Sequence, residues 1–424
     1  MIAARTMELA VALPAAASIP IALTGRFPNL RETVTLITAL VVFVLVASAV
    51  PGVLAGDRPE LTLTEFLPGL ALQFRLEPLG MIFALVASFL WLITSIYSIG
   101  YMRGHDEQHQ TRFYVCFALA IASALGVAFA GNMLTLFAAY EVLSISTYPL
   151  VTHSGTEEAR RAGRLYLGIL LGTSIGFQLL AILWTWTVTG TLDFTEGGIL
   201  AGEIQGPAAA VLLALYVFGI GKAAVMPFHR WLPAAMVAPT PVSALLHAVA
   251  VVKAGVFAIL KVVIYIFGTD FILQNSASDW LVWFAGATIL FASLVAMTKD
   301  NLKARLAYST VSQLSYIVLG ALLATQASIL GSVLHIAMHA FAKITLFFGA
   351  GAILVAANKT EISDMAGLGR AMPVTFGAFF IASLSMIGLP PFGGMWSKWY
   401  LAMGTLEAGQ WLLLSVLLAS SLLN

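Results

Sequence analysis

Apolar runs of about 20 residues recur along almost the whole chain, and each is long enough to cross the hydrocarbon of a bilayer as a helix. They cover approximately residues 6–24, 33–54, 78–100, 112–130, 133–151, 165–190 and 207–226, then 241–267, 280–298, 305–325, 330–356, 372–389 and 410–424. A chain patterned in this way is expected to be an all-α polytopic membrane protein with about 13–14 transmembrane helices. Composition excludes a soluble domain: 60% of the 424 residues are apolar and 10% charged, where soluble domains carry about 25% charged residues. The 21 basic and 20 acidic side chains leave a net charge of +1 and no basic face for nucleic acid. The single cysteine, Cys116, rules out a disulfide framework and reads as a small apolar residue inside a helix.

The two ends need separate readings. Arg5 and the stretch Ala15-Ala16-Ala17-Ser18 resemble a secretory signal, but a second span follows within about ten residues, which favours a first transmembrane helix. The last run stops at Asn424 while still apolar, so that helix is expected to be either clipped or short. Loops after odd-numbered spans hold twelve Lys and Arg residues, among them Arg26, Arg31, Arg103, Arg160, Lys303 and Arg370, against Arg58 and Arg75 after even-numbered spans. Basic loops stay in the cytoplasm. The N-terminus is therefore expected outside, with the protein multi-pass in the cell inner (plasma) membrane.

The informative residues are ionisable groups inside the apolar runs: Glu141 in span five, Lys222 in span seven, Lys253 in span eight, Lys343 in span eleven and Lys398 after span twelve. Each costs at least about 2.5–3.5 kcal/mol at the bilayer centre, so each is expected to face protein or trapped water and to mark function. Structural ion pairs are the alternative. Lys261, near the end of span eight, reads instead as a snorkelling lysine whose loss is mild.

Two segments interrupt the helical pattern. One contains Pro227 and Pro233, followed by Pro239 and Pro241; the other contains Pro390 and Pro391 between Gly388 and Gly394. Proline removes a backbone donor and blocks the preceding turn, which predicts discontinuous helices 7 and 12. Interrupted helices five spans apart are the trace of an inverted repeat, the alternative being ordinary kinks in two unrelated helices. The expected organisation is residues 1–110 as helices 1–3, 111–268 as a first five-helix repeat (helices 4–8), and 269–424 as a second (helices 9–13), incomplete at its C-terminus.

His335, His339 and Lys343 recur every four residues and so share one face of span eleven. His247 precedes Lys253 by six residues in span eight. Histidine gives and takes protons near neutral pH, which suits a relay. Satisfied core histidines are the alternative. No acid or thiol accompanies the ladder, so no metal and no cofactor are expected.

The stretch from Trp231 to Ala248 resembles the signature of the antiporter-like subunits shared by Mrp-type Na+/H+ antiporters, in particular their D-like subunit, and respiratory complex I (NADH:quinone oxidoreductase). Asn301 to Gln313, His339-Ala340-Phe341-Ala342-Lys343 and Gly388 to Gly394 resemble further motifs of that family. The resemblance implies a fourteen-helix core with two half-channels. It implies that Glu141 modulates the proton affinity of Lys222, that Lys343 sits at the central connection, that Lys398 gates one end, and that His247, His335 and His339 line the axis between. Val251-Val252-Lys253-Ala254-Gly255 is most similar to D-type subunits and their complex I relatives. The implied function is proton translocation in a multi-subunit monovalent cation (Na+)/H+ antiporter, with other membrane subunits, protons, Na+ and lipid as partners. Alternatives are a proton-pumping subunit of a complex-I-like oxidoreductase or membrane-bound hydrogenase, and a stand-alone secondary transporter. The chain carries no Gly-rich dinucleotide loop and no cysteines for iron–sulfur clusters, so any NADH dehydrogenase activity is expected to reside in partner chains.

Overall fold

The computed structural model describes residues 2–67 and 70–423. Its long helices are α1 (Ile2–Leu23), α2 (Pro28–Leu54), α3 (Pro78–Gly104), α4 (Gln110–Ala128), α5 (Met133–Val151), α6 (Glu157–Thr189), α7 (Gly206–Gly219) and α8 (Thr240–Phe267). They continue as α9 (Asp279–Met297), α10 (Leu302–Leu323), α11 (Gln326–Ala357), α12 (Pro373–Ile387), α13 (Gly393–Glu407) and α14 (Trp411–Leu423). Among the described residues ten helices are long and apolar enough to cross a membrane, and α7, α12 and α14 are shorter apolar helices. The protein is a multi-pass membrane protein.

Helix starts follow local capping chemistry. The side chains of Asn132, Thr156, Asn301 and Thr325 accept hydrogen bonds from the backbone N–H three residues on, which would otherwise lack an acceptor at the starts of α5, α6, α10 and α11. In the most apolar windows of α8 and α10, 89% and 94% of residues are buried, against 28% and 22% in α1 and α2. The helices richest in misplaced polar residues therefore occupy the centre, and α1 and α2 lie outside them.

One element departs from the helical expectation. Strands β1 (Glu60–Leu67) and β2 (Leu70–Arg75) pair antiparallel as a hairpin. Asn132 Nδ2 donates to Ala71 O at 2.7 Å and Gln73 N donates to Thr135 Oγ1 at 2.8 Å, tying β2 to the start of α5. This end of the bundle is the hairpin face; the opposite end, carrying the turn at residues 298–302, is the loop face.

At the loop face Arg31 and Glu32, expected in or beside a solvent loop, are only 3% and 4% exposed. Arg31 Nη2 bonds Glu32 Oε1 at 3.1 Å and Gln110 Oε1 at 2.9 Å, its guanidinium lies 4.9 Å from the Tyr114 ring centroid, and Arg103 pairs with the same Glu32 carboxylate. A carboxylate held between two guanidiniums fastens α2 to α3 and α4. Glu32→Ala leaves the buried Arg31 without its anion and is expected to cost about 3–5 kcal/mol. Thermal unfolding in detergent should show that loss; a change within about 0.5 kcal/mol, typical of a surface site, would mean the cluster carries no stability.

Candidate proton-transfer site

The first break places an ammonium at the heart of the bundle. After α7 ends at Gly219, residues 221–223 form one 3-10 turn, short helical pieces follow at 231–237, and α8 begins at Thr240. Pro227 lies in a separate turn at 226–230, Pro233 in the short helix, and Pro239 and Pro241 open α8 rather than break it. Lys222 lies within the break and is fully buried. Gly255 of α8 lies against the backbone of Lys222 and Ala223, where a β-carbon would collide. Glycine is what lets the broken segment seat on α8.

Lys222 Nζ donates to Tyr140 O at 2.7 Å and to Ser144 Oγ at 2.6 Å, and sits 3.1 Å from the Tyr140 ring centroid. The Tyr140 hydroxyl in turn accepts from Lys222 N at 3.0 Å. Glu141 does not close on this ammonium. Its carboxylate lies beside Ser174, within electrostatic range of Lys222, and its Oε1 has no protein partner. Ser174 to Gln178 form a π-helical turn of α6, and both amide atoms of the buried Gln178 are likewise unpartnered.

The second break carries a similar device. Gly388 ends α12 with φ +91, in the left-handed region that suits glycine, and Pro390 and Pro391 lie in the gap before α13. Lys398 Nζ reaches back to Met386 O at 2.6 Å, one of the carbonyls that the break frees, and also donates to Ser421 Oγ at 2.6 Å. A cation at the C-terminal end of α12 is favoured by the helix dipole. Lys398 also lies 5.1 Å from the Tyr316 ring of α10, as Lys222 lies over Tyr140 of α5.

Between the two breaks run the histidines. His335 and His339 are buried with ring centroids 5.8 Å apart. His335 Nε2 is 3.0 Å from Gln313 Oε1, an acceptor, so that nitrogen carries hydrogen; Nδ1 is 2.8 Å from Ser397 Oγ. Ser397 can donate to His335 or turn to Gly394 O at 3.1 Å, so the same contacts serve neutral and protonated imidazole. His339 Nδ1 is 2.5 Å from Lys253 Nζ, the contact that joins α8 to α11. His247, in a π-helical turn of α8, packs on Phe347 with both ring nitrogens unpartnered. π-turns recur at functional sites, where they shift the helix register.

Lys343 is placed differently from what the family resemblance implies. Its ammonium leaves the His335–His339 line and donates to Ser309 Oγ at 2.7 Å and Leu306 O at 3.2 Å on α10, and the lysine in contact with His339 is Lys253. Ser309 also lines a cavity of about 310 Å³ between α10, α11 and α12 that reaches Arg305 and Ile362 at the loop face.

Lys261 is also a correction. It does not snorkel: it is 1% exposed and ion-paired with Glu77, the residue before α3. Sequence reading missed Glu77 because an acid at the start of an apolar run looks like a loop residue. Tyr140, Ser309, Gln313, Tyr316, Ser397 and Ser421, all hydroxyl or amide partners of these lysines and histidines, gave no signal, because such residues are common in apolar helices.

Known proteins resemble this chain in sequence and in fold. Residues 130–424 match the NADH:quinone oxidoreductase/Mrp antiporter transmembrane family, and residues 69–114 match the complex I chain 5 N-terminal family. The chain is 35% identical over 362 residues to NADH-quinone oxidoreductase subunit N of Desulforudis audaxviator, covering 84% of this chain and 71% of that protein. It is 33% identical over 353 residues to subunit L of Mycobacterium tuberculosis, covering 80% of this chain and 53%, about half, of that longer protein. Among solved structures, a chain of the Mrp complex from Dietzia sp. DQ12-45-1b superposes with a TM-score of 0.87 at 26% identity, covering 98% of this chain and 77% of that one.

The corrected environment of Lys261 reverses the expectation of a mild effect. Lys261→Ala strands the Glu77 carboxylate in the bundle and is expected to destabilise by about 3–5 kcal/mol. Thermal unfolding compared with a surface control, Lys359→Ala, whose side chain is 43% exposed and pairs only with the exposed Asp364, is the measurement; equal midpoints for the two variants would contradict the buried pair.

Proposed function

The chain belongs to the NADH:quinone oxidoreductase/Mrp antiporter transmembrane family, as its motifs led us to expect, and we propose that it moves protons across the membrane as one subunit of a larger assembly. The observation that carries the reading is a line of ionisable groups running between two helix breaks, with Lys222, His247, Lys253, His339 and His335 buried and Glu141 and Lys398 half-buried. A purely structural core has no use for Lys222 and Lys253, both fully buried on this line, since apolar side chains of similar volume pack as well or better.

The mechanism follows from the contacts. A proton reaches Lys222 when Glu141 is neutralised or moves away; closing Glu141 on Lys222 holds the proton, and opening releases it. Water and the unpartnered nitrogens of His247 link Lys222 to Lys253. From Lys253 the proton crosses to His339 and then to His335, whose Ser397 contact accommodates either state. Lys398 is the far terminus. Lys343, resting on Ser309 beside the cavity of about 310 Å³, is a side branch toward the loop face. Each transfer changes the charge beside the next group, so occupancy of one lysine disfavours occupancy of its neighbour.

The likeness of Lys222 over Tyr140 and Lys398 over Tyr316, five spans apart, supports two inverted five-helix repeats, 111–268 and 269–424, following the helices of 1–110. The loop face carries most of the basic loop residues, which favours the cytoplasm on that side and an N-terminus outside, in the cell inner membrane. The assembly we favour is a monovalent cation (Na+)/H+ antiporter, with Lys253 the D-like feature. A complex-I-like redox pump is supported equally by the subunit N and subunit L relatives.

Everted vesicles bearing the native assembly, with a pH-sensitive dye, separate these readings. A sodium-triggered pH change without electron donor supports the antiporter, and a pH change only with NADH supports the redox pump. In either case Lys222→Ala should abolish transport and Glu141→Gln should lower it by about 100-fold, with the subunit still assembled. Undiminished transport in Lys222→Ala would overturn the axis.

A further inference from the structure

One buried ionisable pair has no part in that path. Lys261 and Glu77 are 1% and 5% exposed and pair directly. Glu77 borders a cavity of about 550 Å³ at the hairpin face, whose wall also includes Arg58, Glu60, Arg75, Glu196 and Tyr265. Most of these charges are spoken for: Arg75 Nε lies 2.6 Å from Glu60 Oε1, and its Nη1 donates to Phe194 O at 2.6 Å. The Lys261 ammonium lies 4.4 Å from the Phe194 ring centroid and 4.9 Å from that of Tyr265. Glu77 is thus a carboxylate that faces a polar cavity on one side and a buried ammonium on the other.

The position of that ammonium ties the pair to the axis. Lys253, Phe257 and Lys261 recur every four residues on α8, so they form one stripe, with Lys261 about 12 Å beyond Lys253. Phe257 occupies the step between the two lysines and packs on Phe83 of α3 at 5.0 Å. A polar cavity, an acid–ammonium pair, a single aromatic layer and the central lysine follow one another along one helix face.

Building on the axis reading, we propose that Glu77 and Lys261 form a second proton-exchange site, the port through which Lys253 meets the aqueous phase at the hairpin face, with Phe257 as its gate. A proton from the cavity bonds to a Glu77 carboxylate oxygen, which neutralises the carboxylate and leaves the Lys261 ammonium without its counter-charge. When Phe257 turns aside, the Lys261 ammonium gives one N–H proton, through water, to neutral Lys253. The O–H bond of Glu77 then breaks as its proton restores the ammonium. One proton has moved inward and both groups end as they began; outward transfer runs the same steps in reverse.

The double variant Glu77→Gln/Lys261→Met in the native assembly tests this, because removing both charges together avoids stranding either one. The expected result is a correctly assembled complex whose transport falls about 100-fold. Assembly with wild-type transport would overturn the port and leave the pair as cohesion only. If the double variant does not assemble, the wild-type protein decides: a carbodiimide applied from the hairpin face should modify Glu77, more slowly as pH rises, and no modification at any pH overturns the proposal. Lys222→Ala measured in parallel separates the two ideas. Loss of transport there with a normal double variant sinks the port alone, whereas normal transport in Lys222→Ala sinks the axis.

Discussion

An ammonium group enclosed by helices must be solvated by the protein itself, and the carbonyls of regular helices, already bonded within the helix, can offer only their second lone pair, as Tyr140 and Leu306 do to Lys222 and Lys343. Breaking a helix frees carbonyls, hydroxyls supply further oxygens, and imidazole nitrogens supply lone pairs. All three occur here: Lys398 takes Met386 O at the end of α12, Lys222 and Lys343 take Ser144 and Ser309, and Lys253 meets His339. The interrupted helices, the π-turns near His247 and Gln178, and the glycine that seats the first break on α8 are what this requirement imposes on the fold.

The same requirement separates the protein into a functional interior and a supporting exterior. α8 and α10 are almost entirely enclosed and carry or contact most of the unusual polar groups, while α1 and α2 present apolar faces outward. Charge is handled differently in the two zones. In the exterior cluster the Glu32 carboxylate is closed on Arg31 and Arg103, an ion-paired arrangement that holds helices together. Along the interior line Glu141 stands off from Lys222, and His247, His339 and Gln178 keep unpartnered polar atoms, an arrangement with bonding capacity in reserve. Reserve capacity weakens a structural core and is what a relay needs.

Much of this was legible in the residues. The apolar runs mark the spans because length and polarity alone decide whether a helix crosses a bilayer. Glu141, Lys222, Lys253, Lys343 and Lys398 stand out because charge is costly there, and Pro390 and Pro391 mark the second gap because proline cannot continue a helix. The hairpin leaves a trace too: Leu61, Leu63 and the threonines beside them alternate with period two, as a strand does. What was hidden depends on tertiary placement. Nothing in Lys261 distinguishes an interfacial lysine from one paired with Glu77, some 180 residues distant in sequence. Nor does the spacing of His335, His339 and Lys343 reveal that Lys343 turns away to α10 while Lys253 enters from another helix.

The 2.5 Å contact between Lys253 and His339 is the one point where the two halves of the proposed path meet. The most direct test is proton flux through the native assembly carrying Lys253→Met, which keeps the length and packing of the side chain and removes its proton. The account predicts an assembled, stable complex whose flux is lost, with Lys222 and Lys398 still in place at the two breaks. Flux equal to wild type would show that protons do not pass between α8 and α11, and would contradict the central claim.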